Sequence, residues 1–527
     1  MWKIDGEEIS DAKAGRRSLE HNFASKHSQE VLNLDVDDPD TGLSTEERAV
    51  VDRQLVRKLD KHLIPWLSFL YLLSFLDRTN IGNAKLDGLQ TALRLTNTQY
   101  NATLTIFFVS YSTLEPLTNV LLKKWKPSVF IPLIMVAWGI CMTCMGLVRN
   151  FSGLMAARWF LGAAESGLFP GVGYLLSCWY KRSEFGIRMA IFFSAAAFAG
   201  SFGGLLAAAI AQMDGVGGKP GWAWIFILEG LFTVVIGIIS FWVVQDFPDQ
   251  ATFLTEADRK RVIRRLAADK QSSAAHEEFK AEYIWASVKD WKMYTSAMIY
   301  MGCNGSLYAF SLFVPTIIFE LGKCDSCRFK IKKERQKKRS YSSTMAQLLT
   351  VPPYAVAACL TITVGYIADR TRKRGIYNMA ISLCGITGFT MLLASQRPAV
   401  KYVGTFFGAM GIYPAIPNTI AWISNNVEGV YKRGIILGFV IGWGNIQGCI
   451  TSNIYRGEDR PRFYPGHATV LAYLVIFLLG GSVLQYTLLR KENRKRLRGE
   501  RNYWVEGLDP TQVGMRGDKR PDFLYTL

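Results

Sequence analysis

The sequence predicts an all-α membrane protein with twelve transmembrane helices in two six-helix bundles. Half of the 527 residues are apolar or aromatic, and they fall in blocks of roughly twenty, the length a helix needs to cross a bilayer. The blocks divide evenly around a charged stretch at 245–290. Gly and Ala recur inside them, which suits close-packed helices rather than the alternating ten-residue strands of a barrel.

A polar tail, 1–61, comes first. It holds Asp35, Asp37, Asp38, Asp40, Glu46 and Glu47 and no apolar core, so no cleavable secretory signal is expected and the first span inserts the chain. The first bundle, 62–244, has spans near 63–83, 99–122, 128–148, 153–178, 188–211 and 222–244. The linker, 245–290, carries Lys260, Arg261, Arg264, Arg265 and a Glu-rich patch around His276, and reads as charged and partly helical. The second bundle, 291–490, has spans near 294–320, 343–367, 375–395, 401–424, 433–455 and 467–490, followed by a polar tail, 491–527.

The net charge of +18 does not point to nucleic acid, because Lys and Arg sit at the ends of apolar spans rather than on an aromatic-interleaved patch. Placing both termini in the cytoplasm puts Lys123, Lys124, Lys126, Lys181, Arg182, the linker bases, Arg370, Arg372, Lys373, Arg374, Lys432 and Arg433 inside, as the positive-inside rule asks. One outer loop breaks the rule: Lys323–Ser340 holds nine Lys or Arg. It is either a basic outer loop or, the reading we favour, a translated intron. Lys-Cys can be encoded by AAGTGT, and a preceding GGT glycine codon completes a GTAAGT donor. Cys141, Cys144, Cys178, Cys303, Cys359, Cys384 and Cys449 lie in or beside spans, so no structural disulfide is expected. Cys324 and Cys327 form a CxxC with no second pair or His nearby, which gives no metal site.

The two halves and long linker resemble the major facilitator superfamily, whose halves rock about a midplane site. Gly365–Gly375, GYIADRTRKRG, is similar to that family's signature between spans eight and nine. The resemblance implies a cytoplasmic gate made by Asp369, Arg370 and Arg374; simple positive-inside anchoring explains the bases but not the Asp-Arg pair. The matching loop of the first half, NVLLKKWKPSVF, has no Asp. It resembles the fungal anion:cation symporters of the allantoate permease group, as do YLLSFLDRTNIGNA, RWFLGAAESGLFPG, WIFILEG, QLLTVPPY and IPNTIAWISNN. Within that group the likeness is greatest to high-affinity nicotinic acid transporters.

A charge inside a span costs about 2.5–3.5 kcal/mol on insertion scales, so such residues are functional candidates. They are Asp77 and Arg78 in the first span, Glu115 in the second, Arg158 and Glu165 in the fourth and Glu229 in the sixth. Arg158 and Glu165 share a helix face about 10 Å apart, and Asp77 falls at the depth of Arg158. Arg158 is therefore expected to pair with Asp77 or with a substrate carboxylate, while Glu115, Glu165 or Glu229 takes a proton. The alternative is a purely structural brace of Asp77, Arg78 and Arg158. Asn304 and Tyr308, Asn418, Asn445 and Gln447 are candidate contacts for a flat heteroaromatic acid, or else interhelical hydrogen-bond partners.

These readings predict a transporter that imports a small organic anion, possibly nicotinate, with protons. An anion alone is opposed by a negative interior, whereas an anion with protons is not. A drug:proton antiporter is disfavoured because Gly200 is followed by Ser201 rather than Pro. A nutrient sensor of the same fold is the other alternative. No histidine pair, metal spacing or activated nucleophile suggests an enzyme, and no cofactor is expected. The resemblance implies a plasma-membrane location, and one chain suffices to form the path, so a monomer is expected.

Overall fold

The computed structural model describes residues 39–40, 42–268, 281–321, 343–460, 462–509 and 517–527. Lys323–Ser340, with Cys324 and Cys327, lies outside the described residues, as does His276 of the linker.

The first half holds α1 (Thr45–Leu86), α2 (Asn97–Lys124), α3 (Pro127–Met145), α4 (Phe151–Glu165), α5 (Leu168–Trp179), α6 (Arg182–Ile210) and α7 (Gly221–Val243). The linker supplies α8 (Glu256–Ala268) and α9 (Ala281–Val288). The second half holds α10 (Trp291–Leu321), α11 (Ser343–Leu348), α12 (Val351–Thr371), α13 (Arg374–Ala394), α14 (Pro398–Ile412), α15 (Ala415–Asn425), α16 (Val430–Thr451), α17 (Tyr464–Ala472) and α18 (Gly481–Leu497), with a π-helical stretch Tyr473–Gly480 joining the last two.

Among the described residues, eight helices are long and apolar enough to cross a membrane. Four further rods make the arrangement consistent with twelve crossings, and each falls short of that test for a visible reason. In α1 the interior carries Asp77, Arg78, Asn80 and Asn83, and α2 carries Glu115 among many hydroxyl residues. The rod α4–α5 is broken at Ser166–Gly167, and α14–α15 is broken at Tyr413–Pro414.

Several starts are written in the sequence. Ser44 and Glu47 form a reciprocal cap on α1, and Thr96 and Gln99 do the same for α2. With 42 residues α1 is about 63 Å long, twice the hydrocarbon thickness, so its first turns project beyond the bilayer. There α8 docks: Arg261 and Arg264 each hold Asp40 at 2.8 Å, and Lys58 holds Asp258 at 2.7 Å. This end of the bundle is called the linker face below.

Close approach of helices explains the glycine content. A Cβ on Gly230 of α7 would sit 2.5 Å from the backbone nitrogen of Thr143 on α3, so only glycine permits that crossing. The two halves meet along α6 with α12, α2 with α16 and α1 with α10.

Candidate substrate pathway

Where the halves meet, six polar side chains from five helices form one chain of hydrogen bonds. Its centre is Arg78 on α1. Nη2 pairs with Glu165 Oε1 at the end of α4 at 2.7 Å, and Nη1 donates to the Tyr308 hydroxyl of α10 at 3.2 Å. The Tyr308 hydroxyl donates to Asn445 Oδ1 on α16 at 2.7 Å, and Asn304 Nδ2 donates to the same oxygen at 2.8 Å. Asn445 Nδ2 then donates to Glu115 Oε2 on α2 at 2.8 Å. The chain runs from a carboxylate of the first half, through the second half, to another carboxylate of the first. All six side chains are buried.

The Arg78 guanidinium lies 4.9 Å from the Tyr111 ring centre, 5.4 Å from Phe107 and 5.7 Å from Tyr308. Such a cation among aromatic faces is desolvated and held in one orientation. Ser74, one turn before Arg78, also donates to Glu165 Oε1. Sequence reasoning missed Ser74, Phe107 and Tyr111. The signal was present, because Ser74 and Arg78, and likewise Phe107 and Tyr111, are four apart and share a helix face.

Arg158 does not pair with Asp77 in this structure. It is fully buried, its Nε donates to the Thr103 carbonyl at 3.2 Å and its guanidinium sits 4.8 Å from the Phe107 ring. Among the described residues it forms no ion pair, and Nη1 has no hydrogen-bond partner. Asp77 faces the other way, into the first half, where Oδ2 accepts from Trp138 at 3.2 Å and Thr233 at 3.0 Å. One turn along, Asn80 donates to Glu229 Oε2. Equal depth in the membrane did not bring Arg158 and Asp77 together, because the two side chains leave their helices in different directions.

Two uncharged candidates lie elsewhere. Asn418 belongs to the linker face, where Nδ2 donates to the Arg374 carbonyl at 2.9 Å and to Asn378 Oδ1 at 2.7 Å. Gln447 braces helices instead, with Oε1 accepting from the Tyr473 hydroxyl at 2.9 Å. Replacing Gln447 by Leu is therefore expected to cost about 1 kcal/mol of stability through the stranded Tyr473 hydroxyl and to leave substrate affinity unchanged. Thermal unfolding in detergent and a KM measurement check this; a KM raised tenfold would put Gln447 back at the substrate.

On the linker face Asp369, near the end of α12, reaches across to the other half. Its Oδ2 accepts from the Ile187 amide of α6 at 2.5 Å, and its Oδ1 is paired with Arg374 of α13. Arg374 is fully buried and donates from Nη1 to Asn418 Oδ1 at 3.2 Å. Arg370, expected in the same group, is exposed on the outer side of α12 and stands apart from it. Helical spacing accounts for this, since adjacent residues point about 100° apart.

The two-half helical bundle with a polar chain through its middle, together with its family match, makes this protein a multi-pass membrane transporter of a small molecule. The chain belongs to the Major Facilitator Superfamily, whose family profile matches residues 67–452. It is 32% identical over 492 residues to the MFS-type transporter cnsO of Penicillium expansum, covering 90% of each chain. It is 30% identical over 528 residues to the high-affinity nicotinic acid transporter of Saccharomyces cerevisiae, covering 98% of this chain and 92% of that one. Among solved structures, a bacterial homologue of the human lysosomal transporter Spinster, inward-facing and unoccupied, superposes with a TM-score of 0.56. That match has 14% identity and covers 84% of this chain and 94% of the other, so it bears on the fold alone.

Proposed function

We propose that the protein imports a small, flat organic anion of the nicotinate type together with protons, from a plasma membrane in which both termini are cytoplasmic. The observation that carries this reading is Arg78, a buried guanidinium set among aromatic rings and shared between the two halves. A planar heteroaromatic carboxylate matches both features: its charge pairs with the guanidinium and its ring stacks on the neighbouring faces. The relative named as a nicotinic acid transporter supports that choice of substrate.

Coupling follows from competition for one cation. A substrate carboxylate that engages Arg78 displaces Glu165, and Glu165 without its counter-ion takes a proton rather than remain a bare charge in a dry site. Anion and proton then cross as a neutral load. Glu115, which among the described residues receives only the Asn445 amide, is a second proton carrier at the other end of the chain. Arg158, buried behind Phe107 with no ion pair among the described residues, adds positive potential for an incoming anion. The contact of Asp369 and Arg374 with α6 closes the cytoplasmic mouth, and the carrier works as a monomer.

The test is uptake of labelled nicotinate at pH 5 and pH 7.5 in cells lacking their own carrier. Wild-type uptake is expected to be faster at pH 5 and to fall with a proton uncoupler. Glu165→Gln, which keeps the shape and the hydrogen bond but not the proton site, is expected to lose at least tenfold of acid-driven uptake while still exchanging labelled for unlabelled substrate. Acid-stimulated uptake that survives this change would move the proton elsewhere, and no nicotinate uptake by a well-expressed wild type would remove the substrate. Running the assay with and without Lys323–Ser340 tests the intron reading.

A further inference from the structure

Residues 517–527, a charged start (GDKRPD) followed by a largely apolar FLYTL, pack against the linker face of the second half. Asp518 is buried between lysines of two helices: Lys432 Nζ at the start of α16 donates to Oδ1 at 2.7 Å, and Lys292 Nζ at the start of α10 donates to Oδ2. Burial pushes the Asp518 carboxyl up, but the ammonium groups of Lys292 and Lys432 outweigh burial and hold it below its ordinary value. It is therefore charged at neutral pH and neutralises part of a buried positive cluster. Arg496, near the end of α18, donates to the Asp518 carbonyl at 3.0 Å and to the Tyr525 hydroxyl at 2.7 Å.

The other end of the segment is fixed to the end of α15. The Thr526 carbonyl accepts from Trp422 Nε1 at 2.9 Å and from Asn426 Nδ2 at 3.0 Å, and the Thr526 amide donates to Asn426 Oδ1 at 2.7 Å. Trp422 is one helical turn from Asn418, which orients Arg374 towards Asp369. A continuous line of contacts thus joins the C-terminal segment to the inter-half contact at Ile187. On the far side of that contact, Glu184 in the first turn of α6 is held by Arg265 of the linker at 2.6 Å.

We propose that residues 517–527 form a strap that fixes the register of α15 and thereby favours the carrier state closed on the linker face. The strap contacts the second half, so it travels with that half and acts by aiming Arg374, not by tying the halves together. A chain without the strap keeps Asp369 and Arg374 but holds them less firmly against α6. The inference rests on reading Asp369 and Arg374 as a gate, and the experiment separates the two.

The reporter is Ala190→Cys, on α6 where the α12 backbone approaches at Gly365, a position only 1% exposed. It is placed in a chain whose native cysteines are replaced and labelled in membranes with a permeant maleimide. Removing 517–527 is expected to raise the labelling rate severalfold, Asp369→Asn to do the same, and the two together to do no more than the larger alone. Should the shortened chain fail to fold, Asp518→Asn, which leaves Asp290 as the remaining carboxylate paired with Lys292 and Lys432, carries the same expectation. Unchanged labelling after strap loss, with labelling raised by Asp369→Asn, overturns the strap and keeps the gate. Labelling raised by strap loss but not by Asp369→Asn, or full addition of the two effects, overturns the link between them.

Discussion

Uptake by Arg78→Gln is expected to fall at least a hundredfold. Breaking a buried ion pair by removing one partner costs about 3–5 kcal/mol, because the remaining charge stays buried without compensation. Each 1.4 kcal/mol is tenfold in an equilibrium, so the pair alone accounts for about two to three and a half powers of ten. The Tyr308 hydroxyl also loses its donor, which uncouples α1 from α10 at the meeting of the halves. Lysine is not expected to rescue, since a point charge cannot bond Glu165 and Tyr308 together while lying flat among the rings of Phe107 and Tyr111. The double change Arg78→Gln with Glu165→Gln removes the stranded carboxylate and is expected to restore folded protein in the membrane but not uptake. Counterflow within tenfold of wild type in that double variant would make Arg78 a structural brace and take the substrate away from it.

The buried charged residues of the spans could be read from the sequence because the bilayer penalises each of them separately. That rule needs no knowledge of neighbours, and it found Arg78, Glu165 and Glu115 together with Asp77, Arg158 and Glu229. Pairing needs the rotation of each helix about its axis, which sequence periodicity leaves open when a span is buried on most sides. Arg78 meets Glu165 because α4 ends there, at Ser166–Gly167, and delivers the carboxylate to the centre. Amides were harder still. Asn304 and Asn445 join the central chain whereas Asn418 and Gln447 serve helix contacts, and nothing in an isolated Asn or Gln distinguishes the two uses. The packing of Asp518 and Thr526 was also invisible, because their partners Lys292, Asn426 and Lys432 are spread over separate helix ends.

The second large effect is expected at Gly186, a residue with no side chain to do chemistry. It lies in the second turn of α6, where Asp369 and Arg374 arrive from the other half. A Cβ there would overlap Arg374 Nη2 and Asp369 Oδ1. Flexible side chains often yield to such a methyl group, but Arg374 is fully buried and anchored on Asn418, so it cannot yield without leaving its partners. Gly186→Ala is therefore expected to hold the halves apart on the linker face. A carrier that cannot close one mouth cannot alternate, so uptake should fall at least tenfold while equilibrium binding of substrate to the solubilised protein persists. Gly173→Ala is the matched control, because a Cβ there would meet only Met189 Cε at 4.0 Å and the helix itself prefers alanine. Full uptake by Gly186→Ala would mean that the contact of Asp369 with α6 is not part of the cycle. The claimed gate would then reduce to the anchoring of a basic loop at the membrane surface.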